Sequence, residues 1–292
     1  MTETNRFMEA EQYMESCLSL FLMNKIEQAL KVVDKAIECD PNFAEAYNKK
    51  GDCFIRLGRI QEALECYLKS QELNPNIQNN YYDLGRTYLL LGDYDNSLKN
   101  FQKAYEMKPQ EDIHAFIGKI YFDQNMIEEA KQSFENILGG DSKEPDSIKK
   151  ELQAGSSNTM ANYYYAQVLQ KLGKEDEAKG FFNRIVEKYS RMIKSKPNLA
   201  EGYYYLGKCF YFMGDFEKAE ENMKLAIQYD TDAITNHYSF DMFYSDAEAF
   251  ASLAEIQAKM NKVSEAKENI LKALSLEPEN KKLQELKLKL GF

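Results

Sequence analysis

"YYDLGRTYLLLGDYDNS", from Tyr81 to Ser97, returns further along the chain as "YYYLGKCFYFMGDFEKA", from Tyr203 to Ala219. A looser copy, "YNKKGDCFIRLGRIQEA", occupies Tyr47 to Ala63. The marks that recur are spaced regularly. Pro41, Pro75 and Pro109 lie 34 residues apart, as do Gly51 and Gly85, Gly58 and Gly92, and Ala29 and Ala63, with Ser97 continuing the last series. A fixed period of this length means one supersecondary unit used many times over.

Each unit reads as two helices. Tyr47, Gly51 and Phe54 fall at i, i+4, i+7, one face of a helix. Gly58 then supplies a left-handed cap. Ala63, Tyr67 and Ser70 repeat the same spacing on a second helix, and Asn74-Pro75 ends it, because the residue before a proline resists the helical region. Asn42 with Glu45, and Asn198 with Glu201, have capping-box spacing at the next helix start. Gly51, Gly85, Gly118 and Gly207 sit where the first helix crosses its partner, opposite Ala63, Ala130, Ala178, Ala219 and Ala266 on the second. Tyr67, Phe101, Phe134 and Phe182 share one place and are expected to fill the space between neighbours. One unit cannot bury its own apolar face, so the units must stack.

A 34-residue period with aromatic, small-residue and proline marks resembles the tetratricopeptide repeat over nearly the whole chain. The resemblance implies an all-α, right-handed α-solenoid of about seven helix-turn-helix repeats with a C-terminal capping helix. The repeats fall at roughly 10–43, 44–77, 78–110, 111–138, 159–197, 200–233 and 247–280. The first carries Cys17 where glycine is usual, and the second helix of the fifth runs on to Pro197. Two insertions interrupt the array, Gly139 to Asn158 and Ile234 to Asp246. Residues 1–138 are thus expected as one stack of four repeats, 139–158 as a proteolysis-sensitive linker, and 159–292 as a stack of three plus cap. In that cap Leu283, Leu286 and Leu290 share a face with lysines between them.

Composition narrows the function. The 292 residues are 44% hydrophobic, enough for a core. Lys and Arg total 37 against 47 Asp and Glu, a net charge of −10, which repels nucleic-acid backbones and anionic lipid. The acidic N-terminus lacks the apolar run of a secretory signal, and "LSLFLM" (Leu18 to Met23) is too short to span a bilayer, so a cytoplasmic protein without membrane insertion is expected. Five scattered cysteines form no CxxC pair and read as small buried hydrophobes. The two histidines, His114 and His237, have no ligand partners, and no phosphate-binding or nucleophile motif appears. No enzymatic role, metal or cofactor is expected.

The resemblance implies that the first helix of each repeat lines an inner wall that receives a partner protein's segment. Some members of the family capture a C-terminal carboxylate with a basic set. The corresponding places here hold Met14, Leu18, Lys49, Asn79 and Asp83, then Tyr163, Gln167, Tyr205, Glu248 and Ser252, which lack the necessary basic pair. Beside the packing face Tyr203, Gly207 and Phe210 runs a second line, Tyr204, Lys208 and Tyr211, rotated toward the groove. Its counterparts are Tyr82 and Arg86, then Lys119 and Phe122, then Tyr163 and Gln167. These nine residues are the expected partner site: tyrosine faces for affinity, and Arg86, Lys119 and Lys208 for register against an acidic, apolar segment. Packing between repeats is the competing reading of the tyrosines. The expected function is a protein-binding scaffold or assembly factor; the alternative is a self-associating subunit that works through its ends or convex face.

Overall fold

The chain reverses direction within every repeat at one left-handed residue. Gly58, Gly92, Gly173 and Gly214 adopt φ of 70 to 82°, and Asn24, Asn125 and Asn261 do the same at 58 to 60°. Each turn closes with an amide that donates back to the carbonyl five residues earlier, as Arg59 N does to Phe54 O (2.9 Å) and Met126 N to Tyr121 O (2.8 Å). That bond satisfies a carbonyl the helix end leaves open. Glycine takes the conformation without cost, and asparagine is among the few others that tolerate it. Seven such turns give seven helix pairs, three of them marked by asparagine rather than the glycine that the sequence reading relied on.

The computed structural model describes residues 3–138, 156–229, 245–278 and 280–292. Among these, fifteen α-helices and no strands occur. The pairs are α1 (Glu3–Leu22) and α2 (Ile26–Cys39), α3 (Ala44–Arg56) and α4 (Ile60–Leu73), α5 (Gln78–Leu90) and α6 (Tyr94–Met107), and α7 (Glu111–Asp123) and α8 (Ile127–Leu138). They continue with α9 (Ser156–Lys171) and α10 (Glu175–Ser195), α11 (Ala200–Phe212) and α12 (Phe216–Tyr229), and α13 (Asp246–Lys259) and α14 (Val263–Leu276), closed by α15 (Lys281–Lys289). The expected all-α repeat architecture and the long second helix of the fifth repeat are both present. No described helix is long and apolar enough to cross a membrane.

The chain divides into two compact bodies, Met1–Ile120 and Tyr121–Phe292, the boundary falling inside α7. In the second body α8 packs on α9: Tyr164 stacks on Phe134 with centroids 6.3 Å apart, and the Tyr165 hydroxyl donates to the Glu135 carboxylate at 2.8 Å. The insertion expectations for residues 139–155 and 234–244 lie outside the described residues.

Within each body the small residues at the crossing make room for a particular neighbour. A methyl at Gly51 would lie 2.5 Å from the Tyr67 ring, and one at Gly85 would lie 2.8 Å from Phe101. At Gly207 the neighbours are Met223 and the Ala219 carbonyl. Tyr67, Phe101, Phe134 and Phe182 are fully buried, each worth about 2–3 kcal/mol in apolar burial. The extra turn of α10 has its own accommodation: Ile193 sits where a side chain at Gly202 would begin, 3.0 Å away. In the cap, Leu283 is buried and Leu286, Leu290 and Phe292 pack beside it on the last pair.

The capping-box expectation does not hold. α3 begins after Phe43 and α11 after Leu199, neither with a side-chain cap. The polar side chains act one step earlier, in the turn between repeats, where Asp40 Oδ1 accepts from Asn42 N (2.9 Å) and Asn74 Oδ1 from Asn76 N (3.1 Å). Side-chain caps occur instead at Asp93, Ser245 and Asn280.

Candidate functional site

In the fourth, fifth and sixth repeats the residue after the first place of the expected groove line (Ala115, Tyr163 and Tyr204) proves to be the one that binds repeat to repeat. Phe116 lies parallel to Phe101 (5.1 Å, 13°), Tyr164 to Phe134 (6.3 Å, 9°) and Tyr205 to Tyr189 (4.9 Å, 23°). Offset stacking of this kind adds about 0.5–1.5 kcal/mol per pair beyond area burial. Only the recurrence of an aromatic at that place in the fourth, fifth and sixth repeats signals it in the sequence. Stacking there turns the preceding residue toward a wall formed by first helices, and each body has a wall of its own.

In the N-terminal body the wall is charged. The Tyr82 hydroxyl donates to the Asp112 carboxylate at 2.8 Å, and its ring meets Phe101 and Phe116 edge-on. The Arg86 guanidinium lies 5.2 Å from the centre of the Tyr82 ring and 3.8 Å from Asp83, and only 8% of the residue is exposed. Lys119 is equally buried, at 7%. Carboxylates share this wall. Asp52 accepts from the Tyr67 hydroxyl at 2.9 Å and pairs with Lys49, while Asp83 accepts from Asn48 at 3.1 Å. Burial, reinforced by the neighbouring Asp52, pushes the Asp83 carboxyl up to about 7, against the pull of Arg86.

In the C-terminal body the wall is aromatic. Phe122 is half-buried against Tyr164, with the Lys171 ammonium 4.7 Å from its ring centre. Tyr163 is buried between Phe182 and Phe212. Tyr204 is buried too, its hydroxyl 3.4 Å from Glu248. The Lys208 ammonium donates to Glu248 (3.4 Å) and Ser252 (3.2 Å), leaving 15% of its side chain exposed. Burial works to lower the Lys208 pKa, but Tyr204, Glu248 and Glu255 outweigh it and raise the pKa. Tyr211 is half-buried, its hydroxyl held protonated by burial and by Glu255. Gln167 is half-buried, and its Nε2 is sheltered from solvent without a hydrogen-bond partner among the described residues.

These placements change two expectations. The cations do not stand as a free row: Arg86 and Lys208 are held by the chain's own carboxylates, and the row itself has mixed sign. Asp52 precedes Arg86 at its own place one repeat earlier, and Glu255 follows Lys208 at that place one repeat later. Nor is the Tyr203 line the deeper one. Tyr203 is half-buried, its hydroxyl donating to Pro197 O (3.1 Å), and Phe210 is half-buried under the Lys218 ammonium (5.3 Å). Tyr204 is the more buried, with Glu248 of α13 against it, whereas Tyr203 meets Tyr229 of its own repeat's α12 and the preceding turn. Among the described residues no group of His, Cys, Asp and Glu could hold a metal ion, and all five cysteines are free, four of them buried.

The tetratricopeptide repeat profile matches residues 42–110 and 157–232 in one form and 112–139 and 247–280 in another. No curated protein matches the chain. Among solved structures, a tetratricopeptide repeat protein from Parabacteroides merdae is similar over 97% of this chain and 98% of its own, at 15% identity and TM-score 0.54. Cut9–Hcn1, a hetero-tetramer of the APC/C, is similar over 94% of this chain and 48% of its own (13%, 0.58). A MamA fragment from Desulfovibrio magneticus is similar over 62% and 94% (16%, 0.51). At these identities the likeness concerns the fold, which together with the profile matches and the seven left-handed turns places the chain in the tetratricopeptide repeat family.

Proposed function

We propose that the protein is a non-catalytic scaffold or assembly factor that holds an extended segment of a partner protein against the first-helix walls. Tyr82, Arg86 and Lys119 belong to one wall, and Phe122, Tyr163, Gln167, Tyr204, Lys208 and Tyr211 to the other. The observation that carries this reading is the Gln167 amide. A buried donor without a partner costs about 1–3 kcal/mol, so a native structure keeps one where something else completes it. The backbone carbonyl of an extended segment would do so, with the half-buried Tyr211 supplying apolar contact. Because Lys208 is already paired with Glu248 and Arg86 is buried beside Asp83, affinity rests on these hydrogen-bonding and apolar contacts more than on acidic residues in the partner.

The test compares what the parent and the Gln167→Leu/Tyr211→Ala variant retain from source lysate. Neither side chain is fully buried, so the variant keeps its helical circular dichroism. Loss of at least one partner supports the reading; retention of every partner at undiminished affinity overturns it.

A further inference from the structure

Away from the first-helix walls, two places in the repeat carry an aromatic ring beside the second helices: that of Tyr81 and that of Tyr88, seven residues on. In four repeats the chain lays its own cation over one of these rings. Lys35 lies 5.7 Å from the centre of Tyr13, and Arg59 lies 4.4 Å and Lys50 5.8 Å from that of Phe54. Lys218 lies 5.3 Å from Phe210, and Lys272 lies 5.8 Å from Phe250. In the fourth repeat His114 meets the Tyr105 ring instead, at 5.1 Å. The fifth has Asn162 and Leu169 at these places. Among the described residues, the third repeat alone has aromatics there without a ring or cation against either.

That repeat also holds a cleft of about 840 Å³, floored by Tyr81 and Tyr88 of α5 and walled by α4 and α6. Gln71 and Gln102 line it with amides that bond nothing else in the described chain, and Leu68, 40% exposed, adds an apolar flank. Its charged rim is balanced, Lys99 and Lys103 against Glu72 and Glu106. The two tyrosine faces are what distinguish it, and in four other repeats a lysine or arginine of this chain covers one such face.

We propose that the cleft between α4 and α6 is a docking site for a lysine or arginine side chain on an extended segment of a partner protein. The cation would sit over Tyr81 or Tyr88 as Arg59 sits over Phe54, its N–H groups donating to the glutamine carbonyls. A net charge of −10 favours the approach of such a partner. The site is independent of the first-helix walls and uses none of their residues.

The test is fluorescence anisotropy with a fluorescein-labelled, amidated Gly-Arg-Gly-Arg-Gly peptide, and the same peptide with glutamine for arginine as control. The parent protein binds the arginine peptide saturably and the glutamine peptide not at all. Tyr81→Leu/Tyr88→Leu, which keeps bulk and loses the rings, weakens binding about tenfold, and Tyr81→Phe/Tyr88→Phe restores it. Asn96→Lys is an exposed change that leaves folding intact and stands at the place of Lys218. It covers Tyr88 from within and weakens binding likewise. Absence of saturable binding by the parent overturns the proposal. So does undiminished affinity in Asn96→Lys or in a folded leucine variant, which would mean general attraction to an acidic surface.

Discussion

At the scale of single residues, this protein spends its glycines on rings and its buried charges on neighbours. Gly85→Ala places a methyl against Phe101, which stacks on Phe116 and cannot retreat. The expected loss is about 1–3 kcal/mol in urea-induced unfolding. Two carboxylates should give opposite pH dependences. Glu220 is 9% exposed in its side chain; burial works against its charge, but Lys224, Lys262 and Gln257 donate to it and hold it down to about 2. Its folded pKa lies below the ordinary 4.5, so its contribution is complete above that value and fades as pH falls toward 2. Asp83 is the reverse. Raised from 3.8 to about 7, it favours folding while protonated, and that contribution is lost as pH rises through 7. Unfolding midpoints against pH check both: Glu220→Gln flattens the acid limb, and Asp83→Asn removes the decline between about 4 and 7 and is the more stable protein at pH 8.

At the scale of elements, the left-handed turns set where each helix pair folds back. Asn125 and Asn261 occupy the conformation that glycine takes at Gly58 and Gly92. Replacing either asparagine by glycine should leave thermal stability unchanged or slightly raised, while alanine costs about 1–2 kcal/mol. Equal melting temperatures for the alanine and glycine variants would mean that these turns relax out of the left-handed region. The capping box at Asn42 failed at this scale for a local reason, which the turn after Asn74 shares. Asp40 and Asn74 precede prolines, and their side chains close the turn before the helix begins, so the helix start passes to Phe43 and Ile77.

At the scale of the whole molecule, stacked repeats respond mainly through their nearest neighbours. Hydrogen exchange in Gly85→Ala should therefore quicken in α5, α6 and the adjoining α4, while α13 and α14 keep their parental protection; uniform quickening would show one cooperative unit instead. The sequence by itself determined the repeat, its helix pairs and their small-residue crossings, because a helix face is periodic along the chain and periodicity is visible without coordinates. It also carried the ring series at Tyr67, Phe101, Phe134 and Phe182. Which of two adjacent tyrosines binds the next repeat and which faces the wall was not legible: Tyr204 and Tyr205 differ by 100° around one helix, and α13 and α10 decide their surroundings. The same holds for the cations. Arg86 and Lys208 stand at one place per repeat in the sequence, and Asp83 is Arg86's neighbour on the same helix, but only the packing of consecutive helices brings Glu248 onto Lys208 and sinks the Asp83–Arg86 pair away from solvent. Charge neutralisation and burial depend on distances between segments far apart in the chain, and those the tertiary structure alone decides.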